Sequence, residues 1–504
     1  MTSCEELNDV INKLYAKYQD NEYILSKLTN WVLVQLPKKL ELDNTRKIER
    51  AERKKLLVER QQEFTRKFLK KHYYYYIPTT EMFFIYDKIN YTTLREDDIN
   101  HKILSSISSI KGDIMQWKYK IKTNINKTIK NNILYSAIPE SVTIQSIISN
   151  FYPLLFKNKN EAKYFITIIG DAINKIYPSF NDLTFIISYK AKDFLRDIGN
   201  LIWIYTGVNI LNHIKFKYHD QKYESIRLLT INENVELKST WYNIKDNIIN
   251  LIVVSCFYSN RYTGSENYLI NECDEITKNH ILYLKNNSID NIVNKFTNSY
   301  IETCDESYYI HWKNMLFLWK LFLEDNELPN IVFTNTLKNT LTTKFTYSEI
   351  YERFSGITSR HLPFVSKFID FWNTYFYVNP DEIEFEISEI NKLFKNSVFY
   401  NNKISVDDKR IISVLKHYFE NINIEEDKFL FGWSCKLWNK EADLDTFIES
   451  IKEYHKCISI YDAYLEYIKY PSDGLIVSKR YFEKYIEENC HEYIDDEDDL
   501  KFNN

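Results

Sequence analysis

Between Glu5 and Leu36 apolar residues return every three or four positions (Leu7, Val10, Ile11, Leu14, Tyr15, Tyr18), which is the period of an amphipathic helix. The spacing predicts one or two helices ending near Pro37. The next stretch keeps the helix formers and loses the apolar stripe. From Thr45 to Lys71 the chain reads TRKIERAERKKLLVERQQEFTRKFLKK, with eleven Lys or Arg, four Glu and neither Gly nor Pro. One long basic helix of local charge +7 is expected there. On it Arg46, Arg50, Arg53, Arg60 and Lys67 share one face, and Leu57, Phe64 and Phe68 share another, so that one face can pack while the other binds.

The period then changes. Tyr73 to Tyr76 and Met82 to Tyr86 are runs of strand formers on either side of the turn-like IPTT, which predicts a hairpin whose tyrosines alternate between core and surface. Glu96 to about Asn200 returns to helical spacing, with breaks at Pro139, Pro153 and Pro178. His213 to Leu237 alternates like a strand and carries HDQK where a turn would fall, predicting a second small β element. A helical block from His311 puts Trp312, Leu316, Trp319 and Leu323 on one face, as core. Near the end Asp407–Glu420, Leu444–Glu453 and Ile458–Tyr470 read as helices, PSDG as a turn, and Ser478 as the cap of a last helix before an acidic tail. The expected fold is α+β, predominantly α-helical and multi-domain with small β-hairpin elements. Its regions are 1–72, 73–200, 201–400 and 401–504, with a helix-turn-helix-like unit at 456–489.

Composition narrows the class. With 40 Tyr and 31 Phe against 8 Gly and 9 Pro in 504 residues, the chain suits a compact body without long flexible linkers. Its 65 basic and 70 acidic residues leave a charge of −5, so attraction to nucleic acid has to be local. The seven cysteines are widely spaced without a C-x-x-C pair, which fits a reducing compartment better than a disulfide scaffold or a zinc ribbon. The amino terminus is acidic where a signal peptide is basic, and no run approaches the ~20 apolar residues of a membrane span, so an intracellular protein without a membrane partner is expected.

The chain offers few groups with catalytic spacing. A phosphate loop needs glycines so that backbone amides can wrap the phosphates, and a hydroxyl for magnesium. The nearest window, KNKNEAKY at Lys157–Tyr164, keeps Lys163 but has Lys157 and Ala162 at the glycine positions and Tyr164 at the hydroxyl position. His455, Cys457, Cys435 and Cys490-His491 match no ligand spacing, His213 and His219 with Asp220 lack a third ligand, and neither Ser259 nor Ser265 lies in G-x-S-x-G. No catalytic residue, metal or cofactor is expected. Two nucleic-acid candidates remain. One is the basic helix. The other is the last helix, where Lys479, Arg480 and Lys484 lie opposite the inward-facing Phe482, Tyr485 and Ile486. Cations at a helix amino terminus oppose the macrodipole, a placement that suits an external anion.

The passage SIYDAYLEYIKYPSDGLIVSKRYFEKYIEE, with Ser459, Ala463, Tyr464 and Tyr467 and then Ser478 to Ile486, resembles the winged-helix tail of poxvirus-type primase-helicases of nucleocytoplasmic large DNA viruses. IPESVTIQ, KNEAKYFITIIGD and the abundance of Asn, Ile, Lys and Tyr are similar to proteins of mimivirus-like giant viruses. The resemblance implies a non-catalytic protein of viral DNA replication or gene expression, working in the host cytoplasm or virion. It would bind DNA or RNA without sequence preference through Lys479, Arg480 and Lys484, beside viral replication or transcription proteins. The competing class is a structural or adaptor protein with aromatic-rich interfaces, virion-associated or host-factor-binding.

Overall fold

The computed structural model describes residues 4–109, 115, 117–175, 183–232, 237–380, 384–401, 406–470, 475–490, 493 and 499–502. Helices dominate, and short strands gather into small sheets, so the fold is α+β and predominantly helical. The chain forms two compact units, 1–216 with 225–283, and 217–224 with 284–504. The expected boundaries at 200 and 400 fall inside these units. The PSDG turn, Pro178, His491 and most of the acidic tail lie outside the described residues.

The first unit opens with α1 (Cys4–Lys17) and α2 (Glu22–Asn30), then a π-helical turn (Trp31–Gln35) that runs directly into α3 (Leu36–Lys71). The helix therefore does not end near Pro37. Proline lacks an N–H and crowds the carbonyl four residues back. Here Pro37 sits in the first turn of α3, just after Leu36 donates to the carbonyl of Trp31, five residues earlier, and the wider turn accommodates the ring.

After α3 come β1 (Tyr73–Ile77), β2 (Met82–Tyr86) and β3 (Tyr91–Leu94), an antiparallel meander with Tyr75 opposite Phe84. The expected hairpin is present and gains a third strand. Its tyrosines alternate between two cores rather than between core and water. Tyr74 and Tyr76 pack with Phe68 and with isoleucines of α4 (Glu96–Ser108) and α5 (Lys118–Asn131), while Tyr75 lies against the larger core; Tyr73 is 40% exposed.

The larger core joins α6 (Ser141–Phe151), α7 (Lys159–Asn174), β4 (Thr184–Ile187), α8 (Lys192–Thr206), β5 (Ile214–Lys215), β6 (Ile226–Leu229), α9 (Leu237–Asp246), α10 (Ile248–Tyr262), α11 (Ser265–Glu272) and α12 (Glu275–Ile281). At the crossing of α7 and α10 a Cβ on Gly170 would stand 2.0 Å from the Ser255 carbonyl oxygen, so only glycine permits this approach. His213–Leu237 does not turn back on itself at HDQK to pair its own strands. β5 and β6 do not pair with each other; each pairs in parallel with β4, in the order β5-β4-β6. Parallel neighbours cannot be joined by a tight turn, and Lys217–Glu224, which contains HDQK, belongs to the second unit.

The second unit holds α13 (Ile289–Tyr300), α14 (Trp312–Asp325), α15 (Thr334–Thr342), α16 (Leu362–Tyr375), α17 (Ile387–Asn396), α18 (Asp408–Tyr418), α19 (Lys440–Lys452), α20 (Ile460–Tyr467) and α21 (Lys479–Asn489). Trp319 and Leu323 of α14 are buried as expected, although with Leu316 they also border a cavity of about 280 Å³. The short strand Cys457–Ser459, just before α20, pairs antiparallel with Asp499–Lys501, after α21.

Candidate nucleic-acid interface

The last turns of α3 are held by their apolar face. Phe68 is buried and stacks with Phe64 and Tyr74, which anchors the helix to the meander and to α5. Further toward the amino terminus little holds it, since Gln61 and Phe68 are its buried residues. Arg46, Arg50, Arg53, Arg60 and Lys67 are all exposed, along the expected face. Some of their charge is answered within the helix. Arg46 lies 3.8 Å from Asp43, and Lys67 pairs at 2.7 Å with Glu63, whose carboxyl it holds below the ordinary value by a hydrogen bond and by charge.

The helix packed beside it supplies what the sequence reading missed. α5, KYKIKTNINKTIKN, has Lys118, Lys120, Lys122, Lys127 and Lys130 and no carboxylate. Ile121, Ile125 and Ile129 turn into the core, which leaves Lys120 and Lys127 exposed. Tyr119, 65% exposed, lies between Lys118 and Lys120, and the Lys120 ammonium sits 4.5 Å above the Trp117 ring. One lysine is committed: Lys130 is 3.6 Å from Glu96. The cationic surroundings also register at His72, whose pKa is lowered by burial and then by the charges of Lys102 and Lys71. Unbroken KYKIK periodicity in a helix without Asp or Glu was the available signal. It stood out less than the neighbouring run because the lysines are spread around the helix, with Lys118 and Lys122 half-buried beside the isoleucines.

α21 has the predicted shape with a different electrostatic character. Ser478 caps it by accepting from the Tyr481 N–H at 3.2 Å, and Phe482, Tyr485 and Ile486 are buried along with Tyr481. Lys479 and Arg480 are exposed and Lys484 is half-buried, and each faces a carboxylate of its own unit: Glu483 at 3.3 Å, Glu384 at 3.4 Å and Glu488 at 4.0 Å. Arg480 also lies 4.4 Å over the Phe429 ring. Glu384 is only 1% exposed, and burial raises its pKa against the pull of Arg480 and Lys440. Arg480 thus serves as counterion to a buried acid. The α3 and α21 residues belong to different units.

The other sequence candidates resolve into local structure. Lys157–Tyr164 leads into α7, with Ala162 and Tyr164 fully buried and the Tyr164 hydroxyl donating to Glu266 at 3.1 Å. Burial lowers the Lys163 pKa. Ser259 Oγ and the Ser265 N–H both donate to the buried Asp171 at 2.7 Å, and burial raises the pKa of that carboxyl. His213 Nδ1 is 3.3 Å from the Leu183 carbonyl, whereas His219 is exposed. Among the described residues no group of three His, Cys, Asp or Glu could hold a metal ion, and no helix is long and apolar enough to cross a membrane. No protein-family model matches the chain, and no curated protein matches it.

Proposed function

We propose that this chain is a non-catalytic nucleic-acid-binding protein whose contact surface is the basic face of α3 together with α5. The observation that carries the reading is α5: a helix with no carboxylate of its own, whose Lys120 and Lys127 are exposed together with Tyr119, packed beside a helix that presents five further cations. Single strands are held by this combination, because lysines follow the phosphates while exposed rings stack on bases without regard to sequence. Assignment to viral replication or gene expression rests on the resemblance of Ser459–Glu488. The order α19, strand, α20, α21, strand is in keeping with a winged helix. Within it, α21 has its cations matched by carboxylates of its own unit and contributes more to the fold than to the contact.

The test is fluorescence anisotropy with a labelled single-stranded oligonucleotide of mixed sequence at two salt concentrations. Affinity should fall with salt with a logarithmic slope of about −0.7 per neutralised phosphate. Binding that ignores salt, or no binding at low salt, would remove the nucleic-acid reading in favour of a protein-binding adaptor.

A further inference from the structure

The cavity of about 280 Å³ in the second unit is lined from α14, α15, α18 and the segment that joins α14 to α15. Leu316, Trp319, Lys320 and Leu323 recur at helical spacing, so one face of α14 forms a wall. Val332 and Leu337 extend the apolar lining, and His417 enters from α18. A dry cavity of about 150 Å³ holds benzene, so this one has room for about two fused rings or a chain of about ten carbons.

The polar groups around this apolar space share one sign. Among the described residues that line it there is no Asp or Glu. His417 Nε2–H donates to the Lys313 carbonyl at 2.9 Å, and burial lowers the pKa of the ring, so Lys320 supplies the charge of the lining. Its partner Glu324 is 3.7 Å away, and both side chains are more than two-fifths exposed. A pair of that kind contributes little, which leaves the ammonium able to turn to a ligand. Trp319 is 4% exposed, and its indole N–H has no acceptor, although buried indoles ordinarily find one. α15 starts at the same cavity with Thr334. Its N-cap is Phe333, which has no side-chain acceptor, and its first turn has no acidic residue. The N–H groups that a helix cannot bond internally are therefore left without a cap, at the positive end of the helix dipole.

We infer that this cavity binds a small amphipathic carboxylic acid, with its rings or chain against Trp319, Leu323 and Leu337 and its carboxylate between the Lys320 ammonium and the first turn of α15. The donors decide the class of ligand. A cation would meet Lys320 and the positive end of a helix, and a neutral apolar molecule would leave both unanswered. The site is independent of nucleic-acid binding, since α3 and α5 belong to the other unit.

Ligand-observed NMR titration of the full chain with naphthalene-2-carboxylate, and with the neutral naphthalene-2-carboxamide, decides it. The carboxylate should bind saturably with a Kd of about 1 millimolar or tighter, as a ligand of this size can. The amide should bind about tenfold more weakly, for want of the charge-assisted bond. Lys320→Met keeps the apolar stem and should bring the carboxylate down to the level of the amide. Its thermal melt should not change, because the Lys320 side chain is 42% exposed. Leu316→Trp puts a ring into the space from a half-buried position and should abolish binding of both molecules. Four results would each overturn the assignment: no saturable binding by the wild type, equal affinity for acid and amide, a carboxylate affinity that survives Lys320→Met, or one that survives Leu316→Trp.

Discussion

Lys440 and Glu389 form an ion pair at 2.6 Å with both side chains almost wholly removed from water, at 1% and 2% exposure. The ammonium also donates to the Glu384 carbonyl at 2.8 Å and lies 3.9 Å from the Phe385 ring and 4.4 Å from the Tyr481 ring. Glu389 accepts from the backbone N–H of Glu386 and of Ser478, so one carboxylate joins the start of α17 to the cap of α21. Removing one member leaves the other buried and uncompensated, at about 3 to 5 kcal/mol. Lys440→Met should accordingly lower the unfolding free energy of the second unit by about that amount in urea titrations. A loss under about 1 kcal/mol would show the pair to be dispensable.

Gly170→Ala is expected to be among the most damaging small substitutions. The added methyl meets backbone, the Ser255 carbonyl, and not the end of a flexible side chain, so α7 and α10 must separate. Overpacking of this kind destabilises by about 1 to 3 kcal/mol or more. A thermal melt within a degree or so of wild type would mean that the helices yield easily.

Arg480→Ala should reduce stability and leave nucleic-acid affinity unchanged, because the guanidinium answers the buried Glu384 carboxylate. Burial already raises the Glu384 pKa, and removal of Arg480 raises it further. A carboxyl whose folded pKa exceeds its unfolded one weakens the fold above that range and ceases to do so as protonation sets in. The deficit of the variant should therefore shrink as pH falls through the folded pKa of Glu384. A deficit that is constant with pH, or a drop in oligonucleotide affinity, would contradict this role.

Asp274 gives the opposite sign. It caps α12, accepting from the Thr277 N–H at 2.9 Å and from the side chains of Thr277, Asn158 and Asn160, and these bonds hold its pKa well below the ordinary 3.8. Its stabilisation is complete above the ordinary value and is lost as pH falls toward the folded one. Asp274→Ala should cost about 0.5 to 2 kcal/mol near neutrality. The gap between the two denaturation curves should close in acid, and one that widens there would rule out the charged cap.

Lys120→Ala, Lys122→Ala and Lys127→Ala together should lower single-strand affinity and flatten the salt slope by about 0.7 for each phosphate that is no longer neutralised. Tyr119→Ala should cost about 1 to 3 kcal/mol of binding if the ring stacks on a base. Equal affinity in these variants would move the binding surface off α5. Retention of binding after substitution of Lys479 and Lys484 is expected, since Glu483 and Glu488 answer those charges.

What the sequence determined by itself was local. The run Thr45–Lys71 had to be a basic helix, Tyr73–Tyr76 had to be a strand, and Ser478 had to cap the last helix, because period, propensity and capping act within a few residues. The class of fold followed from the same signals. The tertiary structure decided whatever depends on segments far apart in the chain. Strands β4, β5 and β6 find one another across intervening helices, so no turn signal marks their parallel pairing. Pro37 reads as a stop until the π turn makes room for it. Tyr75 finds a second core where alternation alone predicts water. For charge the effect is largest: Arg480 of α21 is drawn to Glu384, brought to it from another segment, while the lysines of α5 gain weight by packing beside α3. Charge pairing depends on distance in space, and spacing along a chain specifies that distance only within a single helix or strand.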